Sequence, residues 1–333
     1  MITLGIETSC DDTSCGIVND QLEVLANKIY TQLDQHKIYG GVVPEVASRA
    51  HLEKVSPIVS AALDEAGITV NDVDLFAFTR GPGLVGPLLV GASFARGLAM
   101  SLNKPIEGVN HLEGHLAAAY LGDKTLKPPF LCLTVSGGHT ELCLVKSPFE
   151  YEILGKTRDD AAGEAFDKCG KILGLGYPAG PIVSKYAQDG DRHFISFPQG
   201  LNQKDNWEFS FSGLKTAFLR YVESNTPDFL ESHKSHICAS LEYAIVEILV
   251  KKSISALKHY DLSTIAVCGG VSANHYLRTR MEEEAQKRGM RSVFPTMSLC
   301  TDNGAMIAGV AQMRHTAGAL TQNVDIRPNL SWF

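Results

Sequence analysis

The eight cysteines of this 333-residue chain include no C-x-x-C pair. In a chain of this size, such scatter argues against both a disulfide framework and a cysteine zinc site. Long hydrophobic runs are missing too. The longest uncharged run, Gly81 to Ala95 (GPGLVGPLLVGASFA), is shorter than the ~20 apolar residues a membrane helix needs, and Gly and Pro break it, so no membrane span is expected. The opening MITLGIETSC has no basic n-region and places Glu7 inside its apolar stretch, so it reads as a first β-strand, and a cytoplasmic location is expected. Nor is there an excess of positive charge. With a net charge of -7, the chain has no global pull toward a polyanion, and nucleic acid would have to be met by a local basic patch or through a partner. Low-complexity tracts are absent. What remains is 44% hydrophobic residues in a length that suits two domains of ~150 residues.

Strand-like and helix-like segments alternate, with Gly-rich turns at their junctions, the pattern of an α/β protein with ligands at strand ends. LGIETSCDDTSCGIV (Leu4 to Val18) and LCLTVSGGHTELCLV (Leu131 to Val145) each set two apolar runs around a small-residue turn. Both read as β-hairpins, one device used twice. A third junction, TIAVCGGVSANHYLRTRMEEEA (Thr264 to Ala285), reads as a strand, a Gly-Gly turn and a helix capped by Ser272 or Asn274. Together they suggest a duplicated nucleotide-binding fold with its ligand between two lobes. Leu241, Ala244, Ile245, Ile248 and Leu249 follow helical spacing and mark Ala239 to Tyr260 as scaffold. Gly190 to Ser210 reads as a surface insertion.

In NHLEGHLAAAYLG, Asn110 is a good N-cap and Gly122 a good stop, so the pattern predicts a helix from about His111 to Leu121. His111 and His115 then share one face, as a metal site requires. Glu113 lies roughly 200° around the helix and fits a capping box with Asn110. In the zinc-peptidase motif H-E-x-x-H the Glu adjoins the first His; here that position is Leu112. The pair alone fits metal ligands and ordinary surface histidines about equally. Asp302, in CTDNGAMIAGVAQM, is a candidate third ligand or an N-cap at the start of a late helix, and spacing cannot bring it to the histidines.

Nine segments in order, GIETSCD, GGVVPEVASRAH, GPGLVGPLLVGA, HLEGH, VSGGHT, DDAAGEAFDK, FSFSGLKT, GGVSAN and TDNGAMIA, make the chain resemble the universal tRNA threonylcarbamoyladenosine transferase family, bacterial TsaD type, over nearly its whole length. The resemblance implies an α/β actin-like ATPase fold of the sugar kinase/Hsp70-like kind, with two related lobes and an interlobe cleft. The expected lobes are residues 1–107 and 108–333, with the final helix able to pack back on the first. It implies metal ligands His111, His115 and Asp302. Substrate contacts fall on Thr134, Val135, Ser136, Gly137, Gly138, Asp167, Gly180 and Asn274. The chain departs from many relatives at Asp12, where they carry Glu, and at Ser184, where they carry an acidic residue.

The implied reaction moves a threonylcarbamoyl group from threonylcarbamoyl-AMP to the exocyclic amine of the adenosine beside the anticodon, in tRNAs reading codons that begin with A. One divalent metal ion, iron or zinc, would act as Lewis acid and template. Asp11 is the candidate proton acceptor; an Asx-turn shaping the hairpin is its structural alternative. The implied partners are tRNA, a noncatalytic TsaB-type paralogue and a small TsaE-type ATPase. A helix after Val46, with Ala47, Ala50, Leu52, Val55 and Val59, is the expected pairing surface. An actin-fold small-molecule kinase or ATPase and, more weakly, a zinc metallopeptidase are the rival readings.

Overall fold

The computed structural model describes residues 1–203, 205–321 and 323–332. The chain forms two compact units, Met1–Thr125 with Thr301–Phe333, and Leu126–Cys300. The first unit opens with β1 (Ile2–Glu7), β2 (Asp12–Asn19) and β3 (Val24–Thr31). Next come α1 (Leu33–Lys37), α2 (Pro44–Ala66), β4 (Leu75–Gly81), α3 (Val85–Leu102), β5 (Ile106–Asn110) and α4 (His111–Gly122). Its sheet has the order β3-β2-β1-β4-β5. Strands β1 to β3 run antiparallel through two hairpins, while β4 pairs parallel with β1 and β5.

The second unit repeats this plan. Strands β6 (Phe130–Val135), β7 (Thr140–Ser147) and β8 (Glu150–Lys156) form the meander. Five helices follow: α5 (Ala162–Ile172), α6 (Gly180–Ala187), α7 (Ser212–Glu223), α8 (Pro227–Ser232) and α9 (Lys234–His259). β9 (Thr264–Cys268), α10 (His275–Gln286) and β10 (Arg291–Val293) complete it. The sheet order β10-β9-β6-β7-β8, read from its other edge, matches that of the first sheet strand for strand. Leu4 pairs with Ile17 and Leu131 with Leu144, as the two hairpin patterns require. The chain then returns to the first unit with α11 (Gly304–Thr316). The units therefore differ from the expected division at 107/108. β5 hydrogen-bonds to β4, and α4 packs on α11, which ties residues 108–125 and the last helix to the first sheet.

Central strands β1, β4 and β6 are buried almost throughout, as strands covered by helices on both faces must be. Edge strands β3 and β8 are mostly half-buried or exposed, Ala26 being the buried residue of β3 and Tyr151 and Gly155 those of β8. In the first core, Leu4, Ile6, Phe76 and Phe78 meet Val55 and Val59 of α2 and Ala95 of α3. α3 runs past Arg96 to Leu102 and is, among the described residues, the one helix long and apolar enough to cross a membrane. Its Leu88, Val90, Ala92, Ala95 and Ala99 are spent on the core of this unit. In the second core, α9 buries Leu241, Ala244, Ile245, Ile248 and Leu249, the predicted scaffold face. Among the described residues, Gly190 to Ser210 is largely irregular as expected, but it is anchored and is more than a surface insertion. Buried Lys252 donates to the carbonyls of Leu201 (2.7 Å) and Asn206, and Ser240 Oγ accepts from the Ile195 N–H (3.0 Å).

His51 of α2 is fully buried, with Nε2 3.0 Å from the Cys10 carbonyl and Nδ1 2.7 Å from the Thr13 hydroxyl. One neutral tautomer satisfies both bonds: Nε2–H donates to the carbonyl and Nδ1 accepts from Thr13. Burial holds the His51 pKa below its ordinary 6.5, outweighing the opposing pull of the Cys10 carbonyl and of the charges on Glu7 and Asp11. Below pH 6.5 the unfolded chain therefore binds a proton that the folded chain refuses, and stability falls with pH until the folded pKa is reached. Urea midpoints between about pH 7.5 and 5 should show this decline, and His51→Gln should flatten it.

Candidate metal centre

The last residue of β5 starts the site. Asn110 Oδ1 accepts the Leu112 N–H (2.9 Å) and its amide donates to the Ser331 carbonyl (2.8 Å), so α4 begins with no intervening loop. His111 and His115, one turn apart, face the same way with ring centroids 4.6 Å apart. Asp302 meets them: its Oδ1 lies 3.5 Å from His111 Nε2 and 3.3 Å from His115 Nε2. One ligand atom from each of the three residues falls within 4.8 Å of the others. The helix cap, the alternative role for Asp302, comes instead from its neighbour: α11 starts at Gly304, and Asn303 Oδ1 accepts the Met306 N–H (2.9 Å).

These residues fit a small cation. A tetrahedral ion with bonds of about 2.0–2.1 Å imposes ligand separations of about 3.3 Å. His115 is completely buried, and among the described residues neither of its ring nitrogens is hydrogen-bonded, Nε2 having the 3.3 Å approach of Asp302 beside it. An orphaned buried nitrogen costs about 1–3 kcal/mol unless something binds it. Around the trio the charge is negative. Burial raises the pKa of Asp11, with the Asp302 charge adding to the rise, and burial, Asp302 and Asp11 push Asp12 up to about 8. Asp11 and Asp12 thus lie in the field of Asp302, where a cation would relieve all three.

Glu7, Ser9 and Thr79 form a layer behind His111 that the sequence reading did not assign. Glu7 is fully buried. Its Oε2 lies 3.0 Å from His111 Nδ1 and accepts from Thr79 Oγ1 (2.5 Å), and its Oε1 accepts the Ser9 N–H (2.5 Å). Ser9 Oγ is 3.2 Å from the same His111 nitrogen. A carboxylate at Nδ1 fixes the tautomer that leaves Nε2 for a ligand. Burial alone would raise the Glu7 pKa, but the His111 charge and hydrogen bond hold it below its ordinary value. Burial opposes a charged His111, yet Asp302 and Glu7 raise it to about 9. The signal was visible in the sequence, since Glu7 is the one charged residue inside an otherwise apolar first strand. Glu113 turns away from the site, as its helical angle requires, and pairs with Arg314.

The eight expected substrate residues all lie in the second unit and form one connected group. Thr134 and Val135 end β6, buried, and Ser136 to Gly138 make the turn into β7. That turn is closed by Ser136 N–H to the His139 carbonyl (2.8 Å) and by His139 N–H to Ser136 Oγ (3.0 Å). Gly137 and Gly138 are exposed, with nothing within 4 Å of where a Cβ would stand. Gly163 of α5 touches this turn, and Gly269 packs on Val135. From α5, Asp167 Oδ1 accepts the N–H groups of Ala179 (2.7 Å) and Gly180 (3.2 Å) at the start of α6. Ser184 of α6 accepts from the Asn274 amide (2.7 Å), which also donates to buried Glu242 (2.9 Å). Asn274 caps α10 through the Leu277 N–H, whereas Ser272 sits in the preceding 3-10 turn.

The fold is that of the actin-like ATPases. Over 98% of this chain and 49% of the other, it is similar to the solved HypF of T. kodakarensis (TM-score 0.63, 15% identity). A ROK family glucokinase from Streptomyces griseus matches over 95% of this chain and 100% of its own (TM-score 0.50, 12% identity). The chain belongs to the TsaD family, tRNA N6-adenosine threonylcarbamoyltransferase, whose sequence model matches residues 23–309. The transferase of that name from Clostridium perfringens strain SM101 is 47% identical over 330 residues, 99% of this chain and 97% of its own. Its counterpart from Clostridioides difficile strain 630 is 48% identical over 332 residues, covering 99% and 98%.

Proposed function

We propose that this chain transfers the threonylcarbamoyl group of threonylcarbamoyl-AMP to the exocyclic amine of the adenosine beside the anticodon, in tRNAs reading codons that begin with A. Family membership supports the reaction. One observation above the others supports the site: His111, His115 and Asp302 converge where, among the described residues, neither nitrogen of buried His115 is hydrogen-bonded. We assign one divalent ion, iron or zinc, to these three, since a donor set of two imidazoles and a carboxylate suits either. Such an ion supplies a Lewis acid for a phosphate or carbonyl oxygen. Glu7 holds His111 in the ligating tautomer. The bare backbone of Gly137 and Gly138 admits close approach of a phosphate. Asp11, its pKa raised by burial, takes the proton as the amine nitrogen bonds to the carbamoyl carbon and the carbon–oxygen bond to AMP breaks.

We also propose that tRNA binding is shared with a TsaB-type paralogue and a TsaE-type ATPase. The basic residues between 278 and 291 do not form an open patch. Arg280 pairs with Glu247 and Glu283, Lys287 and Arg288 pair with Glu284, and Arg278 donates to the carbonyls of Ser272 and Pro295. The pairing surface on α2 needs correction. Ala47, Ala50, Val55 and Val59 face the core, and of the five residues expected there only Leu52 is exposed, at 66%. Ala50→Arg would therefore disrupt the fold. Leu52→Arg should keep the wild-type melting temperature and weaken the heterodimer in gel filtration.

The reaction is tested by nucleoside analysis of tRNA incubated with this chain, both partners and threonylcarbamoyl-AMP. Threonylcarbamoyladenosine is the expected product. None from partners of proven activity would favour a kinase or ATPase of the same fold.

A further inference from the structure

Arg314, near the end of α11, sits between two buried carboxylates. Nη1 donates to Glu107 Oε1 (2.9 Å), and Nη2 donates to both oxygens of Glu113 (2.9 and 2.8 Å). Glu107 of β5 has no exposed side-chain surface and Glu113 of α4 has 5%. Glu107 also accepts the N–H (3.0 Å) and hydroxyl (2.8 Å) of Thr321, just beyond α11. Replacing a buried ion cluster by apolar residues is often neutral or stabilising, so stability alone is a weak reason for this one. Its geometry supplies a stronger reason. Glu113 lies between the two histidines on α4, and α11 begins two residues after Asp302. The planar guanidinium spans the two carboxylates, Nη1 on Glu107 and Nη2 on Glu113, and its rigid plane fixes orientation as well as distance.

We propose that Arg314, braced by Glu107, clamps Glu113 and thereby sets α4 against α11, so that His111 and His115 meet Asp302 at the spacing a divalent cation needs. The acidic residue of HLEGH is then a positioning residue and no catalytic base. This inference rests on the metal site proposed above.

The test is Zn2+ affinity by chelator competition on the full chain, with the melting temperature measured alongside, for wild type, Glu113→Gln, Arg314→Met, the double variant and His115→Ala. Glu113→Gln leaves Arg314 paired with Glu107, so it stays informative if Arg314→Met folds poorly. Glu113→Gln is expected to weaken Zn2+ binding by about ten-fold or more, the scale seen when groups supporting metal ligands are lost. The double variant should lose little more than the larger single loss, as expected of two residues acting as one device. Wild-type Zn2+ affinity in folded Glu113→Gln and Arg314→Met would overturn the clamp while leaving the metal site standing. No Zn2+ binding by wild type, or undiminished binding by His115→Ala, would overturn the metal reading and the clamp with it.

Discussion

His115→Ala is expected to cut threonylcarbamoyladenosine formation by about a thousand-fold or more while leaving the chain folded. Loss of a Lewis acid removes several kcal/mol of transition-state stabilisation, and each ~1.4 kcal/mol is a factor of ten. Ordinarily a fully buried side chain cannot be truncated without loss of stability. His115 differs because, among the described residues, neither of its buried nitrogens is hydrogen-bonded, so the metal-free protein already carries a penalty of about 1–3 kcal/mol for an unsatisfied ring nitrogen. Deleting the ring removes that penalty as well as its packing, and the two changes oppose each other. In chelator, the melting temperature should stay near that of wild type. With Zn2+ present, only wild type should gain stability, because only it binds the ion in the folded state. Equal product from both proteins would remove the histidines from the reaction. A variant that unfolds would instead assign His115 to packing.

How much of this was legible before the structure depends on the range of the contact concerned. The two hairpins were readable because alternating apolar residues about a small-residue turn are a local pattern, and each register follows from it. His111 and His115 were readable for the same reason, being one turn apart in a helix with clear end signals. Asp302 was legible only through the family resemblance and not from spacing, since it reaches them because the chain leaves the first unit at Leu126 and returns at Thr301. Its neighbour Asn303 took the cap for a reason that no spacing rule decides. The α2 surface was misread because small residues at helical spacing look alike whether they meet a partner or the chain's own sheet, and Ala47, Ala50, Val55 and Val59 meet the sheet and α3. The basic residues between 278 and 291 look unpaired in the sequence because an acidic partner such as Glu247 is distant in sequence from the Arg280 it neutralises.

Gly16→Ala should do more damage than its single methyl group suggests. α11 rests on β1 and β2 backbone to backbone. A Cβ on Gly16 would stand 2.0 Å from the Ala305 nitrogen, one on Gly5 2.3 Å from the Ala308 nitrogen, and one on Gly304 2.1 Å from the Gly16 nitrogen. None of the three has a left-handed backbone, so the demand here is for space and not for an unusual φ. Because the obstructing atoms are main chain, no rotamer change relieves the clash, and the start of α11 must move by about 1 Å or more. Overpacking of this kind costs about 1–3 kcal/mol, and sometimes more. Its chemical effect is sharper. Gly304 N–H donates to Ser14 Oγ (2.7 Å), and Asp302 stands two residues before Gly304, so the displaced segment carries the third ligand away from His111 and His115. Gly16→Ala is therefore expected to lose Zn2+ affinity at temperatures where circular dichroism still shows it folded. Gly137→Ala, with open space over its Cα, should hold its stability within about 0.5 kcal/mol and bind Zn2+ as wild type does. If Gly16→Ala instead kept both full stability and full Zn2+ affinity, the seat of α11 on β1 and β2 would not be what places Asp302.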